Sequence, residues 1–283
     1  MRTLERIGTV VSSGFIAPEQ ARLVVHAPDA AAEVRPGQFA MLDCTPLPAS
    51  SDAAGGILPK DAAQRAPFLR RPISFCDADR VAGTVTFVFR TSGTGTRALS
   101  RLRAGDRLSF LGPLGHGFAL PETGTLVAVG GGIGVYPLLL LLRDARAKGL
   151  GTVAACGYRS PALAFLLDDF RDVSDATCFA SDTGGLDFAG HAADAFADLL
   201  SRGLPGPVSV ATCGPAPMMR AVAARCASSG IPCQASLEER MACGTGICLV
   251  CACKVKAAAS GEAEYKRCCT EGPVFDAQEV AWE

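Results

Sequence analysis

Residues 125–142 read TLVAVGGGIGVYPLLLLL. A short apolar run meets a glycine turn, and a longer apolar run follows. Leu126 to Leu142 spans 17 residues without a charge. That is slightly short for a membrane span, and Gly130–Gly134 interrupts its middle. A buried strand, a turn and a buried helix describe it better than a transmembrane helix. The pattern recurs outward. The runs TVAACGY (152–158) and VSVATCG (208–214) alternate with the helical stretches YPLLLLLRDARAKG (136–149) and APMMRAVAARCASSG (216–230). Strands alternating with helices build a parallel sheet with crossover helices. The expected α/β domain covers 121–235.

The turn Gly130-Gly131-Gly132-Ile133-Gly134 suits a pyrophosphate, because it aims backbone N–H groups and a helix N-terminus at one point. It is not a strict G-x-G-x-x-G, and tight strand–helix packing would demand the same glycines. A second turn, Cys213-Gly214-Pro215, ends another apolar run. Strand C-termini of an open parallel sheet form the ligand crevice, so the two turns together favour a nucleotide.

Residues 1–120 have a different grain. Thr84–Arg90 (TVTFVFR) alternates, with Val85, Phe87 and Phe89 on one face and Thr86, Val88 and Arg90 on the other. That is a half-buried strand. Pro36-Gly37, Gly93, Gly95, Gly105-Asp106, Gly112-Pro113 and Gly115 read as turns. Short strands at close spacing suggest a small β-barrel. Pro46–Pro67 is rich in Ala, Ser, Pro and Asp and reads as a long exposed loop, a tolerated insertion. Arg71-Pro72-Ile73-Ser74 precedes strand 84–90. Its arginine can pair a phosphate and its hydroxyl can meet a flavin edge, a weak signal alone.

From Ser236 onward, Cys and Gly dominate a third small module, 236–283. Cys243, Cys248 and Cys251 are spaced C-x4-C-x2-C, and KRCCTEGPVF (266–275) offers one more cysteine 17 or 18 residues later. This is the plant-type arrangement for a [2Fe–2S] cluster. Thiolates are soft donors suited to iron and sulfide. A zinc site would use the same four cysteines, although zinc motifs usually pair two C-x2-C halves. Spacing alone admits either Cys268 or Cys269. Cys253 is a packed spectator in this reading, and Cys44, Cys76, Cys156, Cys178, Cys213, Cys226 and Cys233 are core thiols. Ser236 and Glu239 fit a capping box, S-x-x-E.

The chain has 283 residues and 13 cysteines, with 49% hydrophobic and 19% charged residues and a net charge of -1. This is a globular balance with no basic run to suggest nucleic acid. The N-terminus, MRTLERIGTVV, lacks the apolar stretch of a secretory signal. The cysteines are therefore expected reduced and the protein cytoplasmic, with no membrane partner.

Taken together, these residues resemble the ferredoxin reductase superfamily. More narrowly, they resemble the electron-transfer subunits of class 1B dihydroorotate dehydrogenase, over nearly the whole chain apart from 46–67. The resemblance implies an FAD-binding β-barrel domain (1–120), an NAD-binding α/β domain (121–235) and a [2Fe–2S] module (236–283). It implies flavin contacts at Arg71, Pro72, Ile73 and Ser74, at Val88, Phe89 and Arg90, and at Gly95 and Thr96. LGPLGHGF (111–118) and GGGIGVYP (130–137) look like the family's barrel exit and nucleotide turn. The family pattern of a cysteine, two residues and then Gly-Pro-Val-Phe selects Cys269, and leaves Cys268 where the family usually has an apolar residue. The implied ligands are thus Cys243, Cys248, Cys251 and Cys269.

There are departures. Tyr136 stands for a usual proline. RPIS lacks the tyrosine that many superfamily members stack on the flavin. Arg159, in CGYRS, follows a sheet strand and suits the extra phosphate of NADP, so these residues do not secure NAD preference. The implied enzyme pairs this chain with an FMN-containing catalytic subunit, two of each. That subunit oxidises dihydroorotate to orotate in pyrimidine (UMP) biosynthesis, and electrons pass by the cluster and FAD to NAD+. A TIM barrel needs about 250 residues, and none fits here, so a partner is also expected on size alone. Related subunits serve hydrogenase, sulfide dehydrogenase or transhydrogenase complexes. A zinc-stabilised nucleotide-binding module is the non-enzyme alternative.

Overall fold

A computed structural model describes residues 5–45, 67–257 and 262–282. The expected loop at 46–67 lies outside the described residues except for Pro67. Among the described residues no helix is long and apolar enough to cross a membrane. The chain divides into two compact units. One comprises Met1–Val34, Gln38–Leu114 and Met241–Val250; the other comprises Arg35–Gly37, Gly115–Arg240 and Cys251–Glu283.

The first unit holds a closed antiparallel barrel. Its strands are β1 (Glu5–Ala17), β2 (Gln20–His26), β3 (Phe39–Leu42), β4 (Arg71–Asp79), β5 (Thr84–Arg90) and β6 (Arg107–Leu114), in the order β1-β2-β5-β4-β3-β6. Closure removes the exposed sheet edges. Two short helices, α1 (Pro28–Glu33) and α2 (Thr94–Leu99), belong to this unit. Strand β5 has the expected bounds, and Val85, Phe87 and Phe89 are buried. Val88, on the opposite face, is buried as well, so the strand is covered on both sides at this end. The barrel core centres on aromatic rings. Phe87 lies 4.9 Å from Phe75 and 6.0 Å from Phe110 between centroids, and all three are fully buried.

Two expected turns are corrected. Gly112-Pro113 sits inside β6, and Gly95 sits inside α2. Gly112 is required by approach rather than by reversal. A Cβ there would lie 3.0 Å from Ala40 Cβ on β3, beside a register shift between β3 and β6. Glycine inside a strand often marks such a bulge or close backbone approach.

The second unit is built on a seven-stranded sheet. β7 (Thr125–Gly131), β8 (Gly151–Tyr158), β9 (Ala176–Ser181), β10 (Phe188–Ala189), β11 (Val208–Cys213) and β12 (Cys233–Ser236) run parallel, in the order β10-β9-β8-β7-β11-β12. Four helices accompany them: α3 (Tyr136–Ala147), α4 (Leu167–Val173), α5 (Ala192–Ser201) and α6 (Ala216–Ser228). Helix α3 buries Tyr136 through Leu142, which explains why its first half is apolar all round. Near the C-terminus, β13 (Ala252–Lys256) and β14 (Ala263–Arg267) form a hairpin, and β15 (Val274–Asp276) joins the sheet edge antiparallel to β12.

The expected capping box at Ser236 and Glu239 is also corrected. Ser236 ends β12, pairing with Cys213 and Val274, and no helix starts there. Sheet pairing on both sides overrides the local helix signal.

The stacked position of Phe87 yields a prediction. Phe87→Ala should cost about 3–5 kcal/mol of stability, measured by guanidinium unfolding of the barrel.

Candidate functional site

Three groups of residues carry chemistry.

In the barrel, β4 and β5 pair from Asp79↔Thr84 to Phe75↔Phe87, and there the ladder stops. The residues that would continue it are Arg71–Ser74 on β4 and Val88–Arg90 on β5. Each set stays paired on its other side, β4 with β3 and β5 with β2. Their facing backbone groups therefore make no β4–β5 ladder bonds, and they can meet the edge of a planar ligand that carries both donors and acceptors. The side chains of Val88 and Phe89 are buried on opposite faces of β5. Only their backbone can contribute.

Arg71 reaches back over α2. Its Nη1 donates to the carbonyl of Leu69 at 2.6 Å and to that of Arg70 at 3.4 Å. A Cβ on Gly95 would lie 2.7 Å from Arg71 Nε, so glycine there makes room for the guanidinium. Thr96 closes the start of α2, accepting from the Gly93 N–H at 3.1 Å. Cys44 Sγ lies 3.0 Å from the same Gly95 Cβ position. Burial raises the Cys44 pKa, and the Arg71 charge opposes the shift. Nothing in the local sequence around Cys44 marks this neighbourhood, because it arises from the meeting of β3 and α2. Arg90 is exposed and committed to Glu19, with Nε and Nη2 donating at 3.0 and 2.9 Å.

In the parallel sheet, β7 has β8, β9 and β10 on one side and β11 and β12 on the other. Strand order reverses between β7 and β11, and the crevice at such a reversal is where open α/β sheets bind ligands. Gly130–Gly134 and Cys213–Pro215 occupy those two strand ends. They touch through backbone. A Cβ on Gly134 would lie 2.4 Å from the Cys213 carbonyl oxygen and 2.4 Å from Gly214 Cα. A Cβ on Gly131 would lie 2.7 Å from Met218 Sδ. Gly132 differs: it has a φ of 56°, open space around it and partial exposure, with Ile133 exposed beside it. So Gly130, Gly131 and Gly134 each leave no room for a Cβ, while Gly132 leaves an open turn at the crevice.

The cysteine-rich segments form the third group. Cys243 and Cys248 belong to the first unit, and Cys251 and Cys269 to the second. Among the described residues no three His, Cys, Asp or Glu side chains converge closely enough to hold a metal ion. The sulfur environments nevertheless sort into two kinds. Cys243 Sγ accepts the Thr245 N–H at 3.4 Å. Burial raises its pKa, but the N–H groups of Thr245, Cys248 and Ile247 and the Cys248 thiol outweigh it, giving about 6. Gly244 and Gly246, at φ 71° and 82°, allow the chain to curl in this way. Cys251 Sγ accepts the Cys269 N–H at 3.4 Å, and both residues are buried.

Cys253 and Cys268 do the opposite. Cys253 Sγ donates to the Lys266 carbonyl at 3.3 Å, and Cys268 Sγ donates to the Leu237 carbonyl at 3.4 Å. Burial raises both pKa values, that of Cys253 to about 11. A sulfur that accepts N–H bonds is stabilised as an anion, whereas a thiol that donates S–H is stabilised with its proton. Cys243 and Cys251, whose sulfurs accept N–H groups, suit an iron–sulfur donor set, whereas Cys253 and Cys268, which donate S–H to carbonyls, suit spectators.

A family profile described as the iron–sulfur cluster binding domain of dihydroorotate dehydrogenase B matches residues 238–281. The chain is 37% identical over 275 residues to a Geobacillus thermodenitrificans protein named dihydroorotate dehydrogenase B (NAD(+)), electron transfer subunit, covering 96% of each. It is 35% identical over 277 residues to the protein of the same name from Desulforamulus reducens, covering 97% of each. Among solved structures, a chain of an NADH-dependent reduced ferredoxin–NADP oxidoreductase superposes with a TM-score of 0.79 at 26% identity, covering 98% of this chain and 90% of that one. A ferredoxin reductase of carbazole 1,9a-dioxygenase shares the fold at a TM-score of 0.61 and 20% identity, covering 81% of this chain and 66% of that one.

The two kinds of glycine at the sheet crevice make a testable contrast. Gly134→Ala drives a methyl group into backbone and should lower the melting temperature clearly. Gly132→Ala meets no atom and should cost only about 1–2 kcal/mol for its left-handed conformation. Thermal melts of both variants check the order.

Proposed function

The chain belongs to the family of dihydroorotate dehydrogenase B electron-transfer subunits, and from that membership we propose that it passes electrons from dihydroorotate oxidation to NAD+ in pyrimidine biosynthesis. The observation that carries the residue-level reading is the sorting of sulfurs into N–H acceptors and S–H donors within 243–269.

In this reading Cys243, Cys248, Cys251 and Cys269 hold a [2Fe–2S] cluster. Arg71–Ser74, Val88–Arg90 and Gly95–Thr96 hold FAD. Gly130–Gly134 with Cys213–Pro215 receive NAD+. When bound, the cluster relays single electrons, the flavin exchanges one or two, and the nicotinamide takes a hydride. The residues do the positioning. Arg71 supplies positive charge for the flavin's phosphates, where Gly95 leaves it room. The unpaired backbone stretch of β4 and β5 orients the ring edge. The N–H groups around Cys243 favour its sulfur in the anionic form. Functionally, the chain reads as a flavin barrel at 1–120, a dinucleotide sheet at 121–235 and a cluster module at 236–283.

The family name requires a catalytic partner, which we propose carries FMN and assembles as two of each subunit. Ile247, Leu249 and Val250 are exposed by 81%, 61% and 52%. Leu249 is held at a φ of 60°, a strained conformation for a branched side chain. Exposed apolar residues held beside a ligand cysteine suit the partner's surface. All thirteen cysteines are free, which supports a cytoplasmic location.

Two measurements test this. In anaerobically purified protein, Cys269→Ser should lose most of the iron and Cys268→Ser should keep it, with flavin content reporting that the barrel stays intact. The reverse result overturns the ligand assignment. Ile247→Asp combined with Leu249→Asp should abolish co-purification of the catalytic partner while iron and flavin remain. Retained co-purification removes this surface from the interface.

A further inference from the structure

Cys269 sits in a tight turn that follows β14, and the polar groups of that turn are largely committed. The Arg267 carbonyl accepts the N–H groups of Thr270 and Glu271 at 3.1 and 2.8 Å. The Glu271 carboxylate accepts the Arg267 backbone N–H at 2.8 Å and its Nε at 3.0 Å. The Cys268 N–H goes to the Cys251 carbonyl at 2.9 Å, and the Cys269 N–H to Cys251 Sγ at 3.4 Å. Just beyond the turn, the Gly272 carbonyl accepts the His116 N–H at 2.6 Å. All of these residues belong to one compact unit. Bonds on every side therefore fix the turn that carries Cys269.

One group in it is left over. Thr270 Oγ1 is buried and, among the described residues, has no hydrogen-bond partner. The other buried hydroxyls in that condition belong to Ser174 and Thr212, both far along the chain from the proposed cluster ligands. Thr270 directly follows Cys269. A buried hydroxyl without a partner is destabilising, and where a native fold keeps one the reason is a functional role or a bound species. A hydroxyl carries one donor, and a thiolate or sulfide offers only acceptors. The Thr270 O–H is thus the side-chain donor that this turn can add to the N–H groups its backbone supplies.

We propose that Thr270 donates its O–H to sulfur at the Cys269 corner of the [2Fe–2S] cluster and raises the cluster's reduction potential. The proposal rests on the reading of Cys243, Cys248, Cys251 and Cys269 as ligands. Reduction adds negative charge, and a hydrogen bond to sulfur stabilises the more negative state more strongly. Hydrogen bonds to the sulfurs are one of the levers by which a protein sets cluster potential.

The test is an EPR-monitored redox titration of the cluster in the anaerobically purified two-subunit complex, with iron measured on the same samples. Thr270→Val keeps the side-chain shape and removes the hydroxyl. It should lower the reduced-to-oxidised ratio at a given potential about three- to tenfold, the size of one hydrogen bond, tenfold being about 59 mV for one electron. Thr270→Ser keeps a hydroxyl and should stay within about twofold of wild type. An unchanged potential in Thr270→Val overturns the proposal and leaves the cluster ligands standing. An equal shift in Thr270→Val and Thr270→Ser also overturns it, because packing then sets the potential. Should Thr270→Val lose its iron, Thr270→Ala takes its place with the same expected shift. Iron loss from both overturns the proposal, since the hydroxyl then holds the turn instead of tuning the cluster. Wild type without iron, or without the signal of a reduced cluster, overturns the ligand reading and the proposal together.

Discussion

The parallel sheet depends on two glycine turns pressed backbone to backbone. Gly134 has no room for even a methyl group against the Cys213 carbonyl and Gly214 Cα. That contact lets β7 and β11 lie side by side where the strand order reverses, and it lets the polar backbone of both turns surface at one crevice. Apolar strands and the apolar first half of α3 bury the surrounding mass. Without Gly134, the two turns could not meet backbone to backbone at the strand ends.

A similar economy governs the sulfurs. Thirteen free cysteines in one chain pose a selection problem, and bond polarity resolves it locally. Most thiols are simply buried. Cys253 and Cys268 give their protons to the carbonyls of Lys266 and Leu237, which disfavours anionic chemistry in residues lying next to the proposed ligands. Cys243 and Cys251 instead receive N–H groups. In the adjacent pair, Cys268 donates its thiol to the Leu237 carbonyl while Cys269 gives its backbone N–H to Cys251 Sγ.

Much of this was legible in sequence wherever a local pattern coincides with a tertiary role. The alternation of Thr84–Arg90 located β5 to the residue. The apolar–glycine–apolar run at 125–142 gave strand, turn and helix. Elsewhere local grammar misled. Gly112-Pro113 reads as a turn but lies in β6, because the glycine answers to Ala40 across the barrel. Ser236 and Glu239 read as a helix start, but Ser236 is paired into the sheet on both sides. The gap in the β4–β5 ladder and the position of Cys44 beside Arg71 depend on register and on packing between distant segments. No local pattern encodes either.

The account turns on electron transfer between this chain and a catalytic partner. The most direct measurement is NADH formation from dihydroorotate and NAD+ by the anaerobically reconstituted complex, compared with the catalytic partner alone. The account predicts NADH formation only when this chain is present with its iron and flavin. NADH formation by the partner alone at the same rate, or none by the fully loaded complex, would contradict it.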